Sequence, residues 1–185
     1  MPYKLGYVEF NPVEALKDVI QTRKVQHRKS LKLDELPDFL NALNDYRGYM
    51  LTKHALQMIA YTFVRPGELR SAEWRDFDID KAIWRIPAEK MKMDEEHIIP
   101  LSKQVVALLE SIKEISCGYD LVFPGSHDYR KTMSENTLTY AIRKRLGFDA
   151  TAHGFRTTAS TILNESGFRV DFIERPIWPT VNVTR

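Results

Sequence analysis

Thr62-Phe63-Val64-Arg65-Pro66-Gly67-Glu68-Leu69 is the stretch on which the fold of this 185-residue chain turns. Before it, Leu51, Ala55, Met58, Ile59 and Thr62 recur at the spacing of one helix face. That helix has to end near Val64, because Pro66 has no amide donor and disfavours helical geometry at Arg65. Proline is well suited to a first helical turn, so Pro66 opens a new helix expected to reach Trp74. The break leaves Arg65 at a corner between two helices, with Glu68 three residues on. Two readings of the pair stand side by side. Arg65 can form a local ion pair with Glu68 or Glu73, or it can be held by a carboxylate so that its forked donors meet two oxygens of an anion.

Helical patterning continues on both sides. Leu36, Leu40 and Leu43 share a face in a helix running to about Tyr46, with Asp34 as a candidate cap and Pro37 in its first turn. Downstream, Asp76–Leu101 changes character. Ile83-Trp84-Arg85-Ile86-Pro87 and His97-Ile98-Ile99-Pro100-Leu101 are short β-type runs around a polar turn, which predicts a small antiparallel sheet. Helices return over Lys103–Ile115, with Val106, Leu109 and Ile112 spaced for one face, over Ser134–Leu146, and over Phe155–Ser166, where Gly167 supplies a stop. The expected fold class is α+β, mainly α, with one small sheet. Near the start, Asn11-Pro12 reads as the opening of a short helix, and the polar basic stretch Thr22–Ser30 reads as a linker. The basic residues there, Arg23, Lys24, Arg28 and Lys29, suit either a solvated loop or contacts to a DNA backbone.

Composition narrows the classes. With 43% hydrophobic residues the chain can fill a core. No apolar run approaches the roughly 20 residues of a membrane span, and Met1 is not followed by a signal region, so a cytoplasmic protein is expected. The single cysteine, Cys117, has no cysteine partner for a disulfide or zinc cluster and reads as a buried or incidental thiol. Twenty-seven Lys and Arg against 25 Asp and Glu neither demand nor exclude a nucleic-acid partner. No paired carboxylates or His/Cys sets stand at ligand spacing, so no metal is expected.

Two further places combine bases with conformational punctuation. Lys92 lies in the polar hairpin turn between Met91 and Met93, with Lys90 nearby; it is either a solvated charge or a lysine able to swing to a substrate and donate a proton. His153-Gly154-Phe155-Arg156 places a histidine and an arginine at i and i+3 across a helix start, where anions are favoured; His153 can equally be a capping or core histidine. Taken together, Thr62–Leu69, the Met91-Lys92-Met93 hairpin leading into Ile98-Ile99-Pro100-Leu101-Ser102, and Thr151–Ser160 resemble the catalytic boxes of the tyrosine recombinases, in the family's order. The wording is most similar to the P4-type prophage integrases, and the resemblance covers about Leu33–Arg175.

The resemblance implies a bacterial, DNA-associated protein that acts on double-stranded DNA, forms homo-oligomers there and uses no cofactor, because a phosphotyrosyl bond conserves the phosphoester energy. It gives Arg65 and Arg156 the non-bridging phosphate oxygens, Lys92 the protonation of the leaving 5′-oxygen, His153 a part in proton transfer or phosphate orientation, and Glu68 the support of Arg65. Lys90 joins Arg23, Lys24, Arg28 and Lys29 among the expected DNA contacts. It further implies three segments: residues 1–32 as the tail of a core-binding domain with its linker, 33–175 as the catalytic domain, and 176–185 as an aberrant tail. No tyrosine follows Tyr140, and Pro176 and Pro179 disfavour the helix that carries the nucleophile in the family. The Ile177–Thr180 codons can be written so that the neighbouring frame spells Leu-Ala-His, so a frameshifted, truncated integrase gene is expected, with Trp178 an accident of the altered frame. Such a chain grips DNA without cleaving it alone. The alternatives are a tyrosine supplied in trans, a catalytically silent DNA-binding regulator, and an inert remnant.

Overall fold

The computed structural model describes residues 29–90 and 96–167. Its helices are α1 (Leu36–Asn44), α2 (Met50–Thr62), α3 (Pro66–Arg70), α4 (Lys103–Ser116), α5 (Glu135–Tyr140) and α6 (Gly154–Glu165). A π turn over Ala141–Arg145 continues α5. The sheet has three antiparallel strands in the order β1 (Phe77–Asp78), β2 (Ile83–Ile86), β3 (His97–Pro100). The fold class is the expected one, mainly helical with one small sheet.

Helix α2 is the central element. It buries Leu51, Ala55, Leu56, Met58 and Ile59, and packs against α1, α3, α4 and α5. Opposite it, α4 presents Val105, Leu108, Leu109 and Ile112, and Ser102 caps its first turn by accepting from the Val105 amide at 3.3 Å. Phe39 of α1 meets Phe155 of α6 edge-on at 5.1 Å and Phe148 at 5.4 Å, which ties the start of the last helix to the first.

Four local expectations are corrected. Asp34 does not cap α1; the N-cap position belongs to Glu35, whose carboxylate accepts from the Lys32 amide at 2.9 Å. The helix opened by Pro66 stops at Arg70 instead of Trp74, because the next residues pair across the fold: Val122 N–H donates to Ala72 O at 2.9 Å and Trp74 N–H to Asp120 O at 3.0 Å. Tertiary pairing there overrides helical propensity. A third strand joins the sheet, too short to carry a periodic signal, with Phe77 stacked on Trp84 at 5.0 Å. The expected continuous helix Ser134–Leu146 changes to π geometry at Ala141, so that Leu146 N–H reaches Ala141 O at 3.0 Å, Ala141 and Ile142 are buried, and Arg143, Lys144 and Arg145 stay exposed. Cys117 is exposed, which leaves the incidental of its two readings. No helix among the described residues is long and apolar enough to cross a membrane. The helix expected near Asn11 and the 176–185 tail lie outside the described residues.

Candidate phosphate-binding site

The α2–α3 corner is built by proline and one unusual backbone conformation. Phe63, the C-cap of α2, sits in the left-handed region at φ 52°, and Arg65 is extended at ψ 141° before Pro66. Glu68, in the first turn of α3 and 7% exposed, folds back on the helix start. Its carboxylate accepts from the Arg65 amide at 3.0 Å and from Arg65 Nη1 at 2.6 Å. One buried carboxylate thus satisfies an orphan helix-start donor and pins the guanidinium that belongs to the same residue. Arg65 keeps 40% of its side chain exposed.

Ninety-three residues later in sequence, Arg156 on α6 reaches the same corner: its Nη1 donates to Phe63 O at 3.2 Å. The left-handed turn at Phe63 sets that carbonyl at the end of α2, two residues before Arg65 in the chain. Burial pulls the Arg156 pKa down from its ordinary value, and repulsion from Arg65 adds to this, with Glu68 opposing. His153 is the half-buried N-cap of α6, one turn before Arg156. Thr151 caps this helix start, its hydroxyl accepting from Gly154 N–H at 3.1 Å.

His97, the first residue of β3, belongs to this cluster and was read from the sequence only as part of a β run. It is half-buried, pairs with Ile86 in β2, and feels Glu68, Arg156 and Arg65. Burial is the main reason its pKa lies below the ordinary histidine value; the two arginines lower it further and Glu68 works against them. The only sequence signal was its place, a polar residue where the hairpin strand begins.

The expected lysines divide. Lys92 lies outside the described residues, as do Arg23, Lys24 and Arg28. Lys90 is turned away from the DNA contact expected of it: Nζ donates to Asp76 at 2.7 Å, Glu73 at 2.9 Å and Ser71 O at 3.1 Å. An ammonium has three protons, and all three are taken inside the protein. Lys29 is exposed and ion-paired with Asp149, which also accepts from Arg143 at 2.8 Å. Among the described residues no group of His, Cys, Asp and Glu gathers as metal ligands would.

At this corner two guanidiniums face one carboxylate and one histidine, His97, whose charging burial disfavours. Two arginines against one carboxylate leave an excess of positive charge in a partly desolvated place, with 40% of the Arg65 side chain open to solvent, and that suits an anion with several acceptor oxygens.

Residues 29–177 match the phage integrase family. The chain belongs to that family. Among curated relatives, the integrase of Enterobacteria phage P4 is 43% identical over 92% of this chain and 43% of its own length. The putative protein IntB of Escherichia coli K12 is 36% identical over 92% of this chain and 47% of its own. This integrase-family chain therefore spans less than half the length of these relatives. Solved recombinases share the fold at low identity. The Tn1549 transposon integrase in complex with a circular intermediate DNA superposes with a TM-score of 0.67 at 16% identity, covering 86% of this chain and 60% of that one. The XerA recombinase gives 0.63 at 21%, covering 88% and 61%.

Proposed function

We propose that residues 33–175 form the catalytic domain of a site-specific DNA recombinase, and that the Arg65–Glu68–Arg156 corner holds the scissile phosphodiester of double-stranded DNA. The observation that carries this is the meeting of two arginines from opposite ends of the domain around one buried carboxylate, in a chain of the phage integrase family. A phosphodiester brings one negative charge, which matches the site. The phosphorane formed on attack carries more, so donors fixed beforehand at its oxygens stabilise the transition state beyond the ground state. Removing one such donor typically costs about 10²–10³ in rate.

The roles then divide by position. Arg65 and Arg156 bind the non-bridging oxygens, and Glu68 keeps Arg65 from swinging into solvent. His153, one turn from Arg156, assists proton transfer at the nucleophile or orients the phosphate. Lys92 protonates the leaving 5′-oxygen. Lys90 cannot substitute for it without breaking three hydrogen bonds. Because no tyrosine follows Tyr140, the attacking hydroxyl is expected from outside residues 1–185, either in the same polypeptide or from a partner protomer. Strand cleavage itself needs neither a metal nor another cofactor, since the protein's own cations carry the charge stabilisation. On the same reading the protein works on DNA in the bacterial cytoplasm, which membership of the phage integrase family supports.

A suicide duplex carrying a candidate core site tests the reading. The 185-residue chain is expected to bind it in a salt-sensitive way, to lose affinity on Arg65→Ala or Arg156→Ala, and to leave no covalent band after denaturation. Unchanged affinity in both variants would overturn the phosphate assignment. A covalent band would mean that a residue of this chain attacks.

A further inference from the structure

The chain enters the domain by crossing the back of the helix that carries Arg156. Lys29 O accepts from the Thr151 amide at 3.0 Å and from the Thr151 hydroxyl at 3.2 Å. Two residues on, Leu31 O accepts from the Thr158 hydroxyl at 2.9 Å, and Leu31 itself is buried. Between these two bonds α6 passes at backbone contact. A Cβ on Gly154 would lie 2.2 Å from Lys29 O and 2.8 Å from the Ser30 Cα, so only glycine fits there. Thr158 is 2% exposed and Gly154 is buried, so the contact is sealed from water.

Helical geometry gives this crossing its meaning. Gly154 and Thr158 stand four residues apart and share a face; Arg156, two residues from each, projects from the opposite side. One face of α6 lies against residues 29–31. The other sends its guanidinium to Phe63 O and the Arg65 corner.

We infer that the Lys29–Leu31 backbone is a strap that holds α6 forward, and that Gly154 and Thr158 are positioning residues for Arg156. Without the strap's two carbonyls, α6 has room to settle back from the Phe63 corner, and the two arginines no longer converge on one phosphate. This inference rests on Arg156 being a phosphate ligand, as proposed above.

The test is a double-mutant cycle on the full 185-residue chain. Its readout is affinity for a labelled duplex of about 30 base pairs at low salt, where phosphate contacts dominate. Thermal melting confirms that each variant is folded. Arg156→Gln alone should weaken binding about tenfold or more, the worth of a charge-assisted contact. Thr158→Val, which removes the hydroxyl at nearly constant shape, should weaken it about threefold to tenfold, and Thr158→Ser should restore it. In the R156Q background T158V should change affinity by less than about twofold, because the residue it positions is gone. If T158V does not fold, Thr158→Ala enters the same cycle, since it also removes the side-chain bond to Leu31 O.

The outcomes separate the inference from the reading beneath it. No loss in R156Q refutes Arg156 as a ligand, and the strap with it. A loss in R156Q together with an unchanged T158V, or with an equal T158V loss in both backgrounds, refutes the strap alone.

Discussion

Replacing Lys90 by methionine keeps most of the side-chain volume and removes the ammonium. In the wild type that ammonium is 19% exposed and sits between Asp76, itself 4% exposed, and Glu73, 20% exposed. The variant leaves two largely buried carboxylates facing each other without a counter-charge, and it orphans Ser71 O. Breaking a buried ion pair by removing one partner costs about 3–5 kcal/mol. Asp76 still accepts from the Glu73 amide at 2.9 Å, and Glu73 still pairs with Arg75, so the lower end of that range is expected. For a domain of this size about 3 kcal/mol lowers the melting temperature by roughly 10 °C. The pH profile should change in step. The hydrogen bond from Lys90 is the main reason that the Glu73 pKa is depressed. A depressed carboxylate contributes stability that is present above its unfolded pKa, near 4.5, and is lost as pH falls through the folded value. K90M should flatten that acid limb. Thermal melts at neutral and acidic pH, with the salt dependence of DNA binding measured alongside, decide the matter. If Lys90 were a phosphate contact, K90M would melt within about 1 kcal/mol of wild type and the slope of log affinity against log salt would shrink by about one. That result would refute the inward role of Lys90; an unchanged slope with a large stability loss is the expected outcome.

Arg65→Lys retains the charge but cannot meet two oxygens in parallel, so DNA affinity should fall about tenfold, with melting little changed; affinity equal to wild type would remove the bidentate role. His97 titrates below its ordinary value, so the folded form resists protonation that the unfolded form accepts: its stability contribution is full above about pH 6.5 and is lost as pH falls toward the folded value. A bound phosphate raises that pKa, so duplex affinity should increase on acidification from about pH 7 to about pH 5.5, and His97→Gln should flatten the profile; a wild-type profile already flat would separate His97 from the phosphate. Leu56→Ala, at a position with no exposure in the middle of α2, should cost about 2–5 kcal/mol in urea unfolding.

Much of the site was legible because backbone constraints and chemistry coincide in the same residues. Pro66 announces the corner, the i to i+3 spacing brings Glu68 back to Arg65, and Gly154 between His153 and Arg156 marks the start of α6. What stayed hidden depends on contacts between distant residues. The inward turn of Lys90 required Asp76 and Glu73 to converge on it, and a lysine in a polar segment gives no sign of that. His97 acquires its importance only when Glu68, Arg65 and Arg156 come near it in the fold, and a single polar residue opening a strand has no distinctive spacing. The early end of α3 followed from pairing with residues 120–122, a long-range competition that helix propensity does not register. The π turn at Ala141 likewise follows burial of Ala141 and Ile142, while its sequence reads as ordinary helix.

The two arginines would repel if they were simply placed together, and the structure answers this in two different ways. Arg65 is neutralised by a carboxylate three residues away, and the short loop makes that pairing local and inexpensive in entropy. Arg156 forms no ion pair with a carboxylate among the described residues; it leans on a backbone carbonyl and on the packing of α6 between the strap and the core. A carbonyl dipole offsets a guanidinium's charge only in part, and half-burial keeps water from completing the task. The residual need of Arg156 for an anion is therefore greater than that of Arg65, and its placement depends on contacts spread from residue 29 to residue 158. Substitutions far from the corner should for this reason affect Arg156 more than Arg65. If the corner holds a phosphate as proposed, its affinity is set by how well the fold holds one helix in place, and the ion pair at Arg65 supplies the fixed point against which that helix is held.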